Sequence, residues 1–173
     1  MQSSLILTVI ADDRPGLVDS LATTIGLHSG NWLESNLSQL AGKFAGILRV
    51  EIASDAAEGL IAALVALDDG DAGLRILIER VEAQPTEEVP IDGLTIEIVA
   101  NDRPGIISEI SRTLAELGIN VESLTSYCEP APMSSEPLFR ARADLRMPAG
   151  VRRGELRARL EMLADDLMVE VVD

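Results

Sequence analysis

The sequence predicts an α+β protein built from two ferredoxin-like βαββαβ units in tandem, each an antiparallel sheet with its helices on one face. Three observations support this prediction: a segment of the first half returns in the second half, both copies show the same order of strand and helix patterns, and the core material is aliphatic. Hydrophobic residues make up 47% of the 173 residues, but aromatic residues only 2%. The chain can therefore bury a sizeable core, and that core must consist mainly of leucine, isoleucine and valine.

An internal repeat is the strongest feature of the chain. Residues 5–28 align without gaps on residues 94–117, which sets the two copies 89 residues apart. The run Asp-Arg-Pro-Gly occurs in both copies, at residues 13–16 and 102–105. Composition alone rarely produces the same four residues twice in matching surroundings, so we expect each copy to be one structural unit.

The repeat also predicts the domain boundaries. We expect one domain over residues 1–83, a second over residues 93–173, and a linker over residues 84–92, which are polar and include two prolines. Beyond the gapless segment, the match is expected to resume after a slip of one residue, with Gly30 against Gly118.

Each copy begins with a short run of leucine and β-branched residues, residues 5–11 and 94–100, which predicts a central strand. The Asp-Arg-Pro-Gly turn ends each run. Proline suits the first position of a helix, and an aspartate can accept hydrogen bonds from the amides of the first turn, so a helix should start here. Apolar residues then recur at helical spacing, and we expect helix C-caps at Gly30 and Gly118.

The remaining patterns complete the βαββαβ order. Alternating residues predict a hairpin in each copy, most clearly at residues 44–53 and 139–147. Second helices at residues 57–68 and 152–164 and closing strands at residues 74–81 and 167–172 follow. An irregular, proline-rich segment at residues 129–137 interrupts only the second hairpin, so it breaks the symmetry between the copies.

Charge and composition exclude several classes of function. The chain carries 29 acidic and 14 basic residues, for a net charge of −15, which argues against direct binding of nucleic acid. No apolar stretch is long enough for a membrane span, and the N-terminus lacks the basic start of a signal peptide, so we expect a cytoplasmic protein. The chain has one cysteine and one histidine. We therefore predict no catalytic residue, no metal and no cofactor.

The two Asp-Arg-Pro-Gly turns are the candidate binding sites. Amides that open a helix carry partial positive charge and favour a carboxylate, and the glycines Gly16 and Gly105 leave room for a ligand. An ammonium group could meet the acidic and amide side chains beside the turns, namely Asp12, Asp13, Asn101 and Asp102. Together these groups suit an amino-acid zwitterion. The alternative is that the turn merely starts a helix, and the residues alone do not separate the two interpretations.

Two further pairs of residues are weaker candidates. Arg14 and Arg103 could each clamp a carboxylate, but exposed arginines more often pair with neighbouring acids and water, which is the interpretation we favour. Asn31 and Asn120 either reach across the same crevice or simply tolerate a left-handed backbone beside a glycine.

The paired segments Ala-Asp-Asp-Arg-Pro-Gly-Leu-Val and Ala-Asn-Asp-Arg-Pro-Gly-Ile-Ile, with Gly-Asn-Trp-Leu-Glu-Ser and Gly-Ile-Asn-Val-Glu-Ser after them, resemble tandem ACT-domain proteins. The resemblance covers nearly the whole chain and extends to the glycine cleavage system transcriptional repressor family. ACT domains bind amino acids or other small effectors in a crevice between paired modules, near the first strand-to-helix turn. They pass that event to a partner or to an attached domain.

The resemblance implies a regulatory protein, not an enzyme, that senses an amino acid such as glycine and controls transcription indirectly. Its partner would be another protein, for example a DNA-binding activator, and homo-oligomers are compatible with the exposed strands. The alternative is a regulatory subunit that acts on an amino-acid biosynthetic enzyme. Carried over to this sequence, the family's ligand site selects Asp13, Gly16, Leu17 and Asn31 in the first copy and Asp102, Gly105, Ile106 and Asn120 in the second.

Overall fold

A computed structural model describes residues 2–68, 73–81, 92–131 and 137–172 of the chain. It divides into two compact units, Met1–Thr86 and Glu87–Asp173, called unit 1 and unit 2 below. Most of the predicted linker lies outside the described residues, so the predicted domain boundaries remain a prediction.

Both units have the predicted order of elements. Unit 1 consists of β1 (Gln2–Asp12), α1 (Leu17–Leu27), β2 (Asn31–Leu40), β3 (Lys43–Ala53), α2 (Ala57–Asp68) and β4 (Arg75–Val81). Unit 2 consists of β5 (Asp92–Asn101), α3 (Ile106–Glu116), β6 (Asn120–Pro130), β7 (Pro137–Met147), α4 (Arg153–Glu161) and β8 (Met168–Val172). The sheets have the strand orders β2-β3-β1-β4 and β6-β7-β5-β8, and every neighbouring pair is antiparallel. The predicted ferredoxin-like fold is confirmed in both units.

Alternation along the central strands places the core of each unit on one face of its sheet. In β1, Leu5, Leu7 and Val9 are buried, and each packs in one cluster with buried residues of α1 and α2. Unit 2 has a separate cluster of the same design, in which Ile96 and Ile98 of β5 meet α3 and α4. Because side chains alternate across a strand, the other face of each sheet lies away from its helices.

The two units keep the 89-residue spacing through the first helix and into the second strand, so the predicted slip of one residue is wrong. The residue in the left-handed conformation after the helix is Ser29 in unit 1 and Gly118 in unit 2, with φ of 59° and 68°. Gly30 is therefore not the counterpart of Gly118. Its role is steric, since a Cβ there would lie 2.9 Å from Ile25 Cγ2 and 3.2 Å from Val50 Cγ1.

The units differ in length at the hairpin between their second and third strands. In unit 1 two residues join β2 to β3, and in unit 2 residues 131–136 join β6 to β7. Glu129 and Pro137, the ends of the predicted irregular segment, are strand residues, since Glu129 pairs with Leu138 and Pro137 with Pro130. The ends of the predicted irregular segment are therefore regular strand, and its central residues 132–136 lie outside the described residues.

The sheet faces away from the helices differ in chemistry. Unit 1 exposes apolar side chains there, including Ile10, Ile47 and Leu77, which are 46%, 53% and 60% exposed. Unit 1 also has the ion pair of Arg49 with Glu34 there, at 3.0 Å, whereas unit 2 has several on the corresponding face, such as Arg142 with Glu97 at 2.8 Å.

Among the described residues, each helix is too short or too polar to cross a bilayer.

Candidate functional site

The two Asp-Arg-Pro-Gly turns adopt the same backbone conformation. Gly16 has φ 92° and ψ −3°, and Gly105 has φ 91° and ψ −5°. These angles match the third residue of a type II turn, which requires glycine and commonly follows proline. The Pro-Gly pair was the sequence signal for this turn.

The helices consequently begin one residue after each glycine, and the prediction that proline is their first residue is wrong. Gly16 and Gly105 are themselves the N-cap residues, and no side chain caps either helix. The expected capping by an aspartate is therefore also absent. A glycine N-cap has no side chain to offer, so the amides of the first turn remain available.

The backbone hydrogen bonds define which amides are free. The first helical bond of α1 runs from the Ser20 amide to the Gly16 carbonyl at 2.9 Å. The amides of residues 17–19 therefore have no acceptor within the helix. In unit 2 the corresponding bond joins Glu109 to Gly105 at 3.0 Å and leaves residues 106–108 in the same state. Each turn thus presents a group of donors with partial positive charge.

Space beside the α-carbon of each turn glycine is open. A Cβ built on Gly16 or Gly105 would meet no atom within 4 Å. Leu17 and Ile106, both predicted ligand residues, have side chains that are only 4% exposed because they belong to the cores. They can contact a ligand only through their backbone amides.

Asp13 and Asp102 tie each turn to the neighbouring hairpin. The Asp13 amide donates to the Gly42 carbonyl at 2.9 Å, and the Asp102 amide donates to the Pro137 carbonyl at the same distance. Both side chains are exposed and lie at the end of the sheet from which the free amides project. Each aspartate therefore lies in the segment that joins the first strand of its unit to the donor group.

The residues next to these aspartates differ between the units. Asp12 forms an ion pair with Lys43, whose hydrogen bond and charge lower the pKa of the Asp12 carboxyl. Asp12 is therefore already partnered by a cation of its own unit. In unit 2 the pKa of the Cys128 thiol is raised by partial desolvation and then by the Asp102 carboxylate. Cys128 corresponds to Gln39 of unit 1, so the two sites have different neighbours.

Asn31 and Asn120 lie at the opposite end of their own sheets from the turns. Asn31 pairs with Glu51 of β3, whereas the last residue of β1, Asp12, pairs with Lys43. The two pairs are eight residue steps apart along β3, which is about 26 Å at roughly 3.3 Å per residue. Asn120 occupies the equivalent place in unit 2, opposite Arg146. Within one unit, neither asparagine joins the predicted site.

The arginines of the two turns are held differently. Arg103 donates to both carboxylate oxygens of Glu109, from Nη1 to Oε1 at 2.8 Å and from Nη2 to Oε2. This hydrogen bonding lowers the pKa of Glu109 and raises that of Arg103. The favoured interpretation, pairing with a neighbouring acid, is confirmed for Arg103. Arg14 forms no ion pair with any residue that the structure describes.

A separate concave surface was not foreseen from the sequence. A cavity of 260 Å³ lies on the outer sheet face of unit 1, where Ile6 and Ile47 meet Glu34, Asn36 and Arg49. Its residues come from three strands, and no local motif marks them. The described part of the chain contains no group of three or more histidine, cysteine or acidic residues placed to hold a metal ion.

Both units match models of the same protein family. A family model described as ACT domain matches residues 94–147, and a second model with this description matches residues 3–70. The chain is also 22% identical over 166 residues to the glycine cleavage system transcriptional repressor of Escherichia coli K12. That alignment covers 96% of this chain and 86% of the repressor.

Two solved structures resemble the whole chain. A protein of unknown function from Galdieria sulphuraria matches with a TM-score of 0.82 and 23% identity, and the match covers all of both chains. A candidate glycine cleavage system transcriptional repressor matches with a TM-score of 0.70 and 14% identity, over 100% of this chain and 99% of that one. At these identities the structural likeness shows a shared two-unit fold.

Proposed function

Since the chain belongs to the ACT domain family and carries two ACT domains in tandem, we propose that it senses a small amino acid and regulates transcription indirectly, through contact with another protein. Glycine is the first candidate effector, because a relative that aligns over 96% of the chain is a repressor of the glycine cleavage system. The single observation that carries the proposal is the same open donor turn in both units, formed around Gly16 and Gly105.

In the proposed complex, the effector carboxylate accepts hydrogen bonds from the free amides that follow Gly16 or Gly105. The positive end of the helix favours this charge, and the glycine leaves room for the ligand's own backbone. The effector ammonium lies near Asp13 in unit 1 or Asp102 in unit 2. A site of this kind recognises the part common to all amino acids, while the space around the ligand's side chain selects among them.

Binding regulates a partner only if the effector prefers one arrangement of the protein over another. An effector with equal affinity for two arrangements does not change the equilibrium between them. The surface that contacts the partner must therefore differ between the free and the effector-bound arrangement. The net charge of −15 supports regulation through a protein partner in place of DNA contact. We propose a cytoplasmic location, because free amino acids and the transcription machinery are both present there.

Calorimetric titration of the full chain with the common amino acids tests effector binding, beginning with glycine and serine. We expect heat and a raised melting temperature with at least one of them, because a ligand that binds only the folded state stabilises it. The double variant Asp13→Asn, Asp102→Asn should weaken binding while retaining the fold, since both side chains are exposed. Absence of heat across the whole panel would refute the proposed function.

Affinity capture from the source cell tests the second half of the proposal. We expect a transcription factor to be retained, with an amount that depends on the added amino acid. Retention of an amino-acid biosynthetic enzyme instead would favour the alternative, a regulatory subunit of that enzyme.

A further inference from the structure

The two turns differ most in the side-chain partners of their arginines. In unit 2 the guanidinium of Arg103 and the carboxylate of Glu109 form two parallel hydrogen bonds. Their side chains are only 34% and 37% exposed, so the pair is partly shielded from water. Bidentate pairing of this kind occupies the Nη1–Nη2 edge of the guanidinium and offsets the charge that an arginine offers to a ligand carboxylate.

Unit 1 lacks the acid that makes this pair. At the spacing of 89 residues, Ser20 occupies the place of Glu109, and its hydroxyl donates to the Gly16 carbonyl at 2.9 Å. Asp19 also lies in the first turn of α1, yet it makes no ion pair with Arg14. Across the described residues, the guanidinium of Arg14 is therefore uncommitted to a carboxylate of the protein.

We infer that the two turns are unequal effector sites. In unit 1 Arg14 is a second anchor for the effector carboxylate. In unit 2 Glu109 pairs with Arg103 and prevents it from taking that role. This inference rests on the proposed function, because it concerns the same turns. In unit 1 the ligand carboxylate meets the α1 amides and a free guanidinium. In unit 2 it must compete with Glu109 for the guanidinium, so it binds the α3 amides alone.

The exchange of one residue between the units should reverse this difference. Ser20→Glu introduces the competing acid into unit 1, and Glu109→Ser removes it from unit 2. Both positions lie on the surfaces of helices beside exposed residues, so both variants should fold. Glu109→Gln is the matched control, since it keeps the size of the side chain and removes its charge.

The experiment is an NMR titration of the isotope-labelled full chain, with glycine as the first probe and each other common amino acid after it. Amide signals of residues 17–19 and 106–108 report the two turns separately. We expect unit 1 to respond at a concentration at least about tenfold lower than unit 2, the scale of one charge-assisted hydrogen bond. Ser20→Glu or Arg14→Gln should abolish this advantage, and Glu109→Ser or Glu109→Gln should tighten unit 2 toward unit 1.

Equal affinities in the unmodified chain, or tighter binding in unit 2, would overturn the inference while leaving the proposed function intact. The same holds if both Glu109 variants fold, as judged by their melting temperatures, and leave the affinity of unit 2 unchanged. If no amino acid moves the signals of either turn, the proposed function itself fails, and the inference fails with it.

Discussion

Unit 1 and unit 2 share their fold and the conformation of their first turn, but the same positions carry different chemistry on the outer faces of their sheets. Three positions that are neighbours across the strands illustrate this: Ile6, Glu34 and Arg49 in unit 1 correspond to Thr95, Ser123 and Asp144 in unit 2. In unit 1 they line part of a cavity, and Arg49 forms an ion pair with Glu34 at 3.0 Å. In unit 2 the two hydroxyls donate to the two oxygens of the aspartate, at 2.7 Å and 2.5 Å.

The two copies agree at the positions that form the core and differ at the positions on the outer sheet face. Positions that face the helices are apolar in both units, mostly leucine, isoleucine, valine and alanine, because each unit must bury its own core. Positions that face away from the helices carry no such requirement. The two copies can therefore specialise on their outer faces and around their turns without loss of the fold.

The largest effect should follow from opening a cavity in one core at a time. Leu60 of α2 and Leu156 of α4 hold equivalent positions and are 0% and 1% exposed. Each change to alanine should destabilise its own unit by about 2–5 kcal/mol. Hydrogen exchange measured residue by residue should show lost protection in the altered unit, with the other unit much less affected. Equal loss of protection in both units would contradict the view that the cores are separate.

A smaller effect is expected at a position where one copy has glycine and the other alanine. Gly46 of β3 corresponds to Ala141 of β7, and a Cβ on Gly46 would lie 2.0 Å from the Asn36 carbonyl oxygen. Because backbone atoms must move to admit it, Gly46→Ala should cost about 1–3 kcal/mol.

The reverse change, Ala141→Gly, is the control and should cost only about 0.5–1 kcal/mol, through backbone entropy. The single tryptophan, Trp32, packs against the core of unit 1, so its fluorescence follows unfolding of that unit in denaturant. Hydrogen exchange measured residue by residue follows unit 2, where the control lies. A Gly46→Ala variant as stable as the unmodified chain would show that β2 lies farther from β3 than described.

The smallest effect should be a change in the acid dependence of the stability of unit 2. Hydrogen bonds from Ser123 and Thr95 lower the pKa of Asp144 below its ordinary value of 3.8. A carboxyl with a lowered folded pKa stabilises the protein fully above its unfolded pKa, and this contribution is lost as the pH falls through the folded value. Asp144→Asn should therefore make the stability of unit 2 less dependent on pH below about 4.

The matched control for this prediction is Arg49→Gln, at the equivalent position of unit 1, which should leave the acid slope of unit 2 unchanged. Signals of Tyr127, the single tyrosine of the chain, report unit 2 in an acid titration followed by NMR. If the stability of unit 2 falls with acid as steeply in Asp144→Asn as in the unmodified chain, the two hydroxyls do not stabilise the ionised Asp144 carboxylate in solution.

The sequence was sufficient for the repeat, the order of elements and the fold, because periodic apolar residues dictate which faces are buried. It misplaced details that depend on single backbone conformations. The first helix of each unit was set two residues early, since proline was taken as the first helical residue, a place that Leu17 and Ile106 occupy. The C-cap was assigned to Gly30, although Ser29 adopts the left-handed conformation in unit 1.

The candidate site was predictable only in part, for physical reasons that differ from residue to residue. The turn motif marked the glycines and aspartates, because local sequence determines a local turn. Asn31 was included although strand pairing places it at the far end of the sheet. The pairing of Arg103 with Glu109 depends on side-chain geometry around the helix start, which the spacing of six residues does not reveal.

A crystal structure of the full chain with the amino acid that gives the largest heat would test the central claim most directly. We predict that the ligand carboxylate lies within hydrogen-bonding distance of the amides of Leu17 and Val18, with its ammonium beside Asp13. A ligand bound instead in the cavity between Ile6 and Ile47, with the amides after Gly16 and Gly105 unoccupied, would contradict the account.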